Sequence, residues 1–562
     1  MRFPIALVVI SLAGIAHAQT VPDAGSLLQQ IERDRRVAPK PLVKPEAPVP
    51  QEMQSVPGVT VTVSRFVFTG NTLLAEDQLA VAVAGYLNRP LSFSDLQKAA
   101  AAVAERYRQG GWVVRAFLPR QEIDGGTVTI HIIEGRFGST HLDGVESKKF
   151  RLATALRYVE ARQKHGEPIN ADAIDRAVML LDDLPGISAT SSFRAGTQDG
   201  ETDLVLKIAD TPVFLGNIDL DNTGSRATGR ERVALTAYLD SPAGIGEQVL
   251  ANFTKTDGSQ YGRLGVTVPV GYDGLRVGIN SSRLDFNVIT PENKSLDIRG
   301  IAETAGLEAS YPVIRSRAAN LSFSANVDRK SFDNWTSLGS TNRYHIDVVA
   351  YALSGNAFDG FGGNGATNVS LVLVNGRVDL AGSANQAADA ASTQTAGRYQ
   401  KWKMTLGRNQ TVSDDISVYG QYAIQAASTN LDSSERLTLG GSSGIRAYPT
   451  VEGGGAEGQT LTLEARFRLP EGVNLTAFHD WGRITAVNRN NLSPAGNTLA
   501  ALNAYNLRGH GVSIAWLSPL GVQFKGTWAR REGYNPNPTS NGNDQDGSKL
   551  NNRFWLTASM SF

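Results

Sequence analysis

The chain has 562 residues with 54 basic and 54 acidic side chains, 57 glycines and no cysteine. Its length allows about two to four domains. The missing cysteines exclude a disulfide framework and thiolate metal sites, and the balanced charge gives no basic footprint for a nucleic-acid partner.

The N-terminus reads as a targeting segment. Arg2, the apolar run 3–15 and the small-x-small site Ala16-His17-Ala18 make residues 1–18 a secretory signal peptide. No later run approaches ~18 consecutive apolar residues, so no helical membrane anchor is expected. Residues 19–36 hold a short amphipathic helix opened by Pro22-Asp23, with Leu27, Leu28 and Ile31 as its apolar stripe. Arg33, Arg35 and Arg36 fall in its last turns, where the helix dipole favours cations. Residues 37–58 carry Pro39, Pro41, Pro45, Pro48, Pro50 and Pro57, a density that favours an extended linker.

Helical and strand patterns then alternate twice. The first unit, 59–136, reads as a strand (59–68), a Gly70-Asn71 turn, a helix (75–85), a helix after Ser94-Asp95 that ends at Gly110-Gly111, and two strands (112–118 and 127–134). The second, 137–211, repeats the order: strand 139–142, helices 150–162 and 171–184, strands 188–195 and 203–209. About 75 residues suffice for a small domain with helices on one face of a sheet.

From 212 to 562 the helical period disappears, and about sixteen strands are expected. They begin near 214, 231, 247, 261, 274, 300, 319, 342, 367, 399, 415, 459, 472, 509, 520 and 553. In the twelfth, Leu461, Leu463, Ala465, Phe467 and Leu469 alternate with Thr462, Glu464, Arg466 and Arg468. In the last, Phe554, Leu556, Ala558, Met560 and Phe562 alternate with Trp555, Thr557, Ser559 and Ser561. One unbroken apolar face and one polar face fit a membrane barrel with a wet lumen. Tight turns such as 271–274, 470–472 and 518–521 mostly alternate with long polar loops near 285–298, 377–398, 429–458, 483–508 and 531–552. A membrane barrel sorts its loops by length in this way; a soluble sandwich has the same alternation but no reason for the sorting.

Catalytic motifs find little support. Gly440-Gly441-Ser442-Ser443-Gly444 matches G-x-S-x-G, but that motif works on a strand-to-helix turn and here falls in a loop of an all-β region. The seven histidines show no paired metal-ligand spacing, and His479 is expected at an interface or in packing. Neither enzymatic chemistry nor a metal or other cofactor is expected. Two segments stand out: Gly444-Ile445-Arg446-Ala447-Tyr448-Pro449 in a long loop, and Phe478-His479-Asp480-Trp481-Gly482 on the thirteenth strand. Parity turns Val473, Leu475 and Ala477 outward, and Asn474, Thr476, Phe478, Asp480 and Gly482 inward. An inward carboxylate invites a cation, yet Arg446 reads equally well as a solvated loop charge. Lumen charges such as Glu464, Arg466 and Arg468 are candidate partners for the N-terminal helix.

With these residues in place, nearly the whole chain after residue 18 resembles the two-partner secretion transporters, the TpsB-type haemolysin and filamentous-haemagglutinin exporters. Residues 19–36 resemble the family's plug helix, the two α/β units its POTRA domains, and the strands its sixteen-stranded barrel. Residues 444–449 resemble its V-R-G-Y/F loop-tip motif, and Phe478, Asp480 and Gly482 its F-x-D-x-G strand motif. The resemblance implies contact between Arg446 and Asp480. It also implies export of a large unfolded exoprotein of adhesin, haemagglutinin or haemolysin type across the outer membrane, with the N-terminal domains in the periplasm. Terminal Phe562 resembles the signal by which the barrel assembly machinery inserts such chains among outer-membrane lipids. Ala447 stands where the pattern often has Gly, which puts the loop-tip conformation in question. An outer-membrane insertase shares the plan but usually carries more POTRA units, and a diffusion porin would not need the α/β arm.

Overall fold

A computed structural model describes residues 22–34, 60–144, 147, 150–198, 200–488, 503–539 and 541–562. The expected signal peptide, the proline-rich linker, Arg35 and Arg36 lie outside the described residues. The first element is helix α1 (Ala24–Asp34), started by Asp23, whose carboxylate accepts the Ser26 amide at 2.8 Å.

The first α/β unit runs β1 (Thr60–Thr62), β2 (Arg65–Thr69), α2 (Glu76–Val83), β3 (Pro90–Ser92), α3 (Phe93–Arg108), β4 (Val114–Phe117) and β5 (Thr127–Glu134). Helix α3 begins with a reciprocal cap in which Ser92 Oγ accepts from the Asp95 amide while Asp95 accepts from the Ser92 amide. Its stripe of Ala99, Val103 and Tyr107 joins Leu79 and Val83 of α2 over Phe66, Phe68, Val128 and Ile130. The strand expected over 59–68 is two strands: β1 pairs antiparallel with β3, and β2 pairs parallel with β5. The break falls at Ser64, whose amide donates to Gly126 O at 2.8 Å. Alternation alone cannot show that break, because both halves keep the same period.

The second unit runs β6 (Arg136–Leu142), α4 (Leu152–Glu160), α5 (Ala171–Asp182), β7 (Ile187–Ala195) and β8 (Glu201–Asp210). Its sheet order β6-β8-β7 repeats the β2-β5-β4 order of the first, with the last strand central and parallel to the first. Only Gly135 separates β5 from β6, and the units share backbone bonds: Val113 N donates to Ile169 O and Ala171 N to Gly111 O. The second unit stands on the tight turns of the following region. Arg315 pairs with Asp183 at 2.7 Å and Arg317 with Asp175 at 3.0 Å, while Arg176 donates to Pro312 O at 2.6 Å.

The remaining strands form a closed antiparallel barrel of sixteen. They are β9 (Phe214–Asp221), β10 (Arg232–Asp240), β11 (Gln248–Lys255), β12 (Ser259–Val270), β13 (Leu275–Asn287), β14 (Arg299–Arg315), β15 (Ala319–Thr336) and β16 (Gly339–Asp359). Then follow β17 (Gly365–Asp379), the short helix α6 (Gln386–Ala390), β18 (Gly397–Thr411) and β19 (Ile416–Ala427). A small ladder, β20 (Leu437–Thr438) with β21 (Gly454–Gly455), sits inside the next long loop. The ring is completed by β22 (Glu457–Arg468), β23 (Val473–Thr485), β24 (Ala504–Leu517), β25 (Val522–Arg531) and β26 (Asn552–Ser561), which pairs back to β9. Many outward side chains are apolar and exposed, among them Leu463, Ile514, Phe554 and Leu556, as the lipid-facing band of a wall requires.

A carboxylate pins the first unit. Glu134 accepts the Thr72 and Leu73 amides at 2.7 and 2.8 Å, the Thr72 hydroxyl, and the hydroxyl of fully buried Tyr107 at 3.0 Å. Burial pushes its pKa up, but the Thr72 hydroxyl, the two amides and Tyr107 outweigh that and hold it below the usual glutamate value. The unit should therefore carry a stabilisation present at neutral pH and lost as pH falls through the lowered folded pKa. Glu134→Ala is expected to cost about 1–3 kcal/mol at pH 7. Thermal unfolding should show the gap between variant and parent closing on acidification; a gap independent of pH would refute the role of the carboxylate.

Candidate functional site

The barrel's parity leaves charges facing one another across the lumen, and the longest described loop, 428–456, folds in to meet them. At its tip Gly440 and Gly444 make a tight reversal: a Cβ on Gly444 would lie 2.0 Å from Leu439 O, and one on Gly440 2.1 Å from Pro449 O. Ile445 N donates to Leu439 O at 2.8 Å and Tyr448 N to Ile445 O at 3.1 Å, so the tip is held by its own backbone. Ile445, Ala447 and Tyr448 are buried with Leu439, Phe478 and Leu507 in a cluster inside the lumen.

Arg446 projects from that tip into a prepared socket. Its Nε and Nη2 donate to the two oxygens of Asp480, each at 2.8 Å, and its amide donates to Oδ2 at 3.1 Å. Nη1 donates to Glu464 at 2.8 Å, and Glu464 also accepts from Arg466 Nε at 2.8 Å. The guanidinium carbon lies 3.4 Å from the centre of the Phe478 ring. Trp555 Nε1 donates to Arg446 O at 2.8 Å from the opposite flank. Asp480 has no exposed surface and Arg446 only 7%. The four charged groups sum to zero, and a bidentate fork supplies the geometry that a buried pair requires. Arg446 is thus not a solvated loop charge.

Glycine opposite the tip makes the room. A Cβ on Gly482 would meet Leu439 Cδ2 at 3.1 Å and Ile445 Cδ1 at 3.3 Å; one on Gly511 would lie 2.6 Å from the Phe478 ring. Ala447 has no positive φ, so the position does not need glycine. Its methyl lies 2.4 Å from where a Cβ on Gly509 would stand, and Gly509 is what admits it. Pro449 ends the tip against Gly440.

Helix α1 lies in the same lumen. Leu27 and Leu28 pack among Phe286, Phe332 and Tyr344, and Ala24 N donates to Asn334 Oδ1 at 2.9 Å. At its C-terminal end Asp34 pairs with Arg232 at 3.3 Å and accepts from Ser443 Oγ at 3.0 Å, while Arg33 donates to Thr438 O at 3.0 Å. At its N-terminal end Ser433 Oγ donates to Asp23 at 2.9 Å. The loop therefore touches the helix at both ends. Glu435, two residues beyond Ser433, is clamped by Lys330 at 2.8 Å and Lys401 at 2.5 Å. Of the expected helix partners, Glu464 is instead spent on Arg446, Arg466 on Glu464, and Arg468 is exposed, while Gln30 of the helix is buried. Ser442 of the G-x-S-x-G match sits in this lumen loop, with a turn rather than a helix after it.

Sequence reasoning missed the clasp between loops. Buried Glu452 accepts from Asn535 Nδ2 at 2.9 Å and the Gln545 amide at 2.8 Å, while Asp544 bridges Arg531 and Arg553 at 2.6 and 2.9 Å. Inward parity of Arg531 and Arg553 was the available signal; the loop acids carry no period. Phe562, expected as a terminal signal, exchanges backbone bonds with Gly216 at 2.8 and 3.0 Å, and its ring centre lies 5.8 Å from that of Phe214.

The family model of the haemolysin secretion/activation proteins ShlB, FhaC and HecB matches residues 200–502, and that of the ShlB-type POTRA domain matches 61–135. The heme/hemopexin transporter protein HuxB of Haemophilus influenzae is 25% identical over 481 residues, covering 82% of this chain and 83% of its own. The outer membrane transporter CdiB of Dickeya dadantii is 24% identical over 405 residues, 70% of this chain and 69% of its own. The solved structure of CdiB from Escherichia coli has a TM-score of 0.71 at 19% identity, covering 92% of this chain and 93% of its own, a likeness of fold. With a lumen helix, a POTRA domain followed by a second unit of the same sheet order, and sixteen closed strands, the chain belongs to the haemolysin secretion/activation family of ShlB, FhaC and HecB, two-partner secretion transporters of the outer membrane whose POTRA domains lie in the periplasm.

Proposed function

We propose that the chain takes one large unfolded exoprotein, of adhesin, haemagglutinin or haemolysin type, from the periplasm and threads it through the barrel to the cell surface. The observation that carries this reading is how the lumen is filled. Helix α1 is joined to the wall by side-chain contacts, with no ladder of backbone bonds to any barrel strand among the described residues. A plug held in that way leaves without unzipping a strand. The Arg446 socket keeps the loop tip, residues 444–449, beside the path that opens, against Phe478, Asp480 and Gly482.

The POTRA sheets supply the receiving edges. Each sheet ends on an edge strand, β4 in the first unit and the mostly exposed β7 in the second, and an extended cargo segment adds to such an edge through backbone bonds that tolerate varied sequence. Transport needs no nucleotide if the cargo folds outside, because folding there makes return unfavourable. Phe562 is assigned to recognition by the barrel assembly machinery, and the apolar wall to outer-membrane lipid.

Secretion of the partner exoprotein should require this chain, and removing residues 59–136 should abolish it while barrel abundance in the membrane holds. Parent-level secretion by that truncation would refute docking on the first POTRA unit. Arg446→Ala and Asp480→Ala should each impair export with the barrel still inserted, since an unpartnered buried charge costs roughly 3–5 kcal/mol. Arg446→Lys should also fail, because an ammonium cannot reproduce the fork to Asp480; normal export by all three would remove the socket from the mechanism. Deleting residues 22–36 should raise single-channel conductance in planar bilayers without abolishing secretion. Unchanged conductance would mean that α1 does not occlude the pore.

A further inference from the structure

The outer wall over β23–β25 has a charge pattern that transport does not use. On its periplasmic side the outward residues are apolar: Leu475 and Ala477, Val512, Ile514 and Trp516, and Phe524. Toward the extracellular ends the same face turns basic. His479 registers with His510, and His510 with Arg530; in the next row Trp481 registers with Arg508, and beyond it Arg483 with Asn506. At about 3.3 Å per residue and a tilt of about 40°, the run from Gly521 to Arg530 rises roughly 23 Å, close to the ~25 Å apolar band of such barrels. The basic rows therefore stand at the level of the outer-leaflet headgroups.

The arginines of these rows are not neutralised by carboxylates among the described residues. Glu532 is the one carboxylate among these cations, and it is spent on His510 and His479, whose Nδ1 atoms lie 3.0 and 3.3 Å from its Oε1. Arg483, Arg508 and Arg530 are exposed and make no ion pair or side-chain hydrogen bond among the described residues. Residues 489–502, between β23 and β24, contain no Asp or Glu, so their sequence holds no counter-charge. The corresponding rows on β13–β16 are different: Arg283 pairs with Asp285 and Glu303, Arg329 with Asp347, and Arg343 with Asp333. That face is self-satisfied, and the β23–β25 face is not.

We propose that the β23–β25 wall is a binding site for a phosphorylated outer-leaflet glycolipid of the lipid A type. Its phosphates sit among Arg483, Arg508 and Arg530, and its acyl chains lie on Val512, Ile514 and Phe524. Guanidinium is suited to this ligand, because its fork matches two phosphate oxygens. Charge and apolar surface meet at one level of the wall, so an amphiphile fits where a free anion would use only half of the surface.

The test is native mass spectrometry of the full-length protein with bisphosphorylated lipid A, dephosphorylated lipid A and inorganic phosphate as separate probes. The parent should retain bisphosphorylated lipid A at least tenfold better than the dephosphorylated form, and inorganic phosphate should not displace it. The triple variant Arg483→Ala/Arg508→Ala/Arg530→Ala should lose that preference, while Arg283→Ala/Arg329→Ala on the paired face should keep it. Equal retention of both lipids by the parent would overturn the proposal whatever the variants do. So would full binding by the triple variant, or displacement by inorganic phosphate.

Discussion

A lipid interior offers no partner to a peptide group, so every N–H and C=O of a membrane-spanning strand must be paired within the protein. For a chain whose spans are strands, only a closed ring meets that demand. The rest of the molecule follows from closure. The side-chain period of two gives every outward lipid-facing residue inward neighbours, and those neighbours must be wet, paired or covered. The lumen contents answer this demand: Arg446 between Asp480 and Glu464, Arg232 between Asp34 and Asp221, and Lys330 and Lys401 on Glu435. Helix α1 and loop 428–456 act as counter-ions and covers for the inner wall.

Closure is least extensive where the chain's two barrel ends meet. The register of β26 with β9 runs from Thr557–Asp221 to Ser561–Asn217, five pairs, while β9 with β10 and β10 with β11 each have eight. The two mutual backbone bonds of Phe562 and Gly216 extend the ladder past its last registered pair. A Cβ on Gly216 would fall 2.4 Å from the Phe562 ring, so a glycine there is what lets the terminal aromatic lie flat on the wall. The same five-pair seam faces the lumen at Asp221, which holds Arg232 and through it the C-terminal end of α1. Seam and lumen helix thus meet through one residue.

What was legible in the sequence was what period and composition determine. All sixteen barrel strands begin within a few residues of their expected starts, because lipid outside and water inside impose strict alternation on each. The inward set Phe478, Asp480 and Gly482 and the outward set Leu475 and Ala477 followed from parity alone. The partners of α1 did not: alternation says that Glu464 and Arg466 face the lumen, not which of several lumen charges reaches which. The two-residue interruption between β1 and β2 was hidden for the same reason, since each fragment alternates correctly on its own. The loop clasp around Glu452 and Asp544 lies where no period exists, and its order comes from tertiary charge pairing.

Position 447 shows how far a single motif position can be read. Taken alone, Ala where glycine is common looks like a loss of backbone freedom. In place, the backbone at 447 needs no left-handed angle, and the added methyl occupies the volume left by Gly509 on the facing strand. The constraint is on a pair of positions separated by 62 residues of sequence and in contact inside the lumen, and it is a constraint on volume. Two glycines there would leave a small void, and two alanines would overlap and force the tip away from its socket. The tip carries Arg446, so a displacement there also draws the guanidinium off Asp480, whose carboxylate pairs with no other cation among the described residues. Packing at 447 and charge pairing at 446 are therefore one fit: the apolar contact sets the distance over which the ion pair acts.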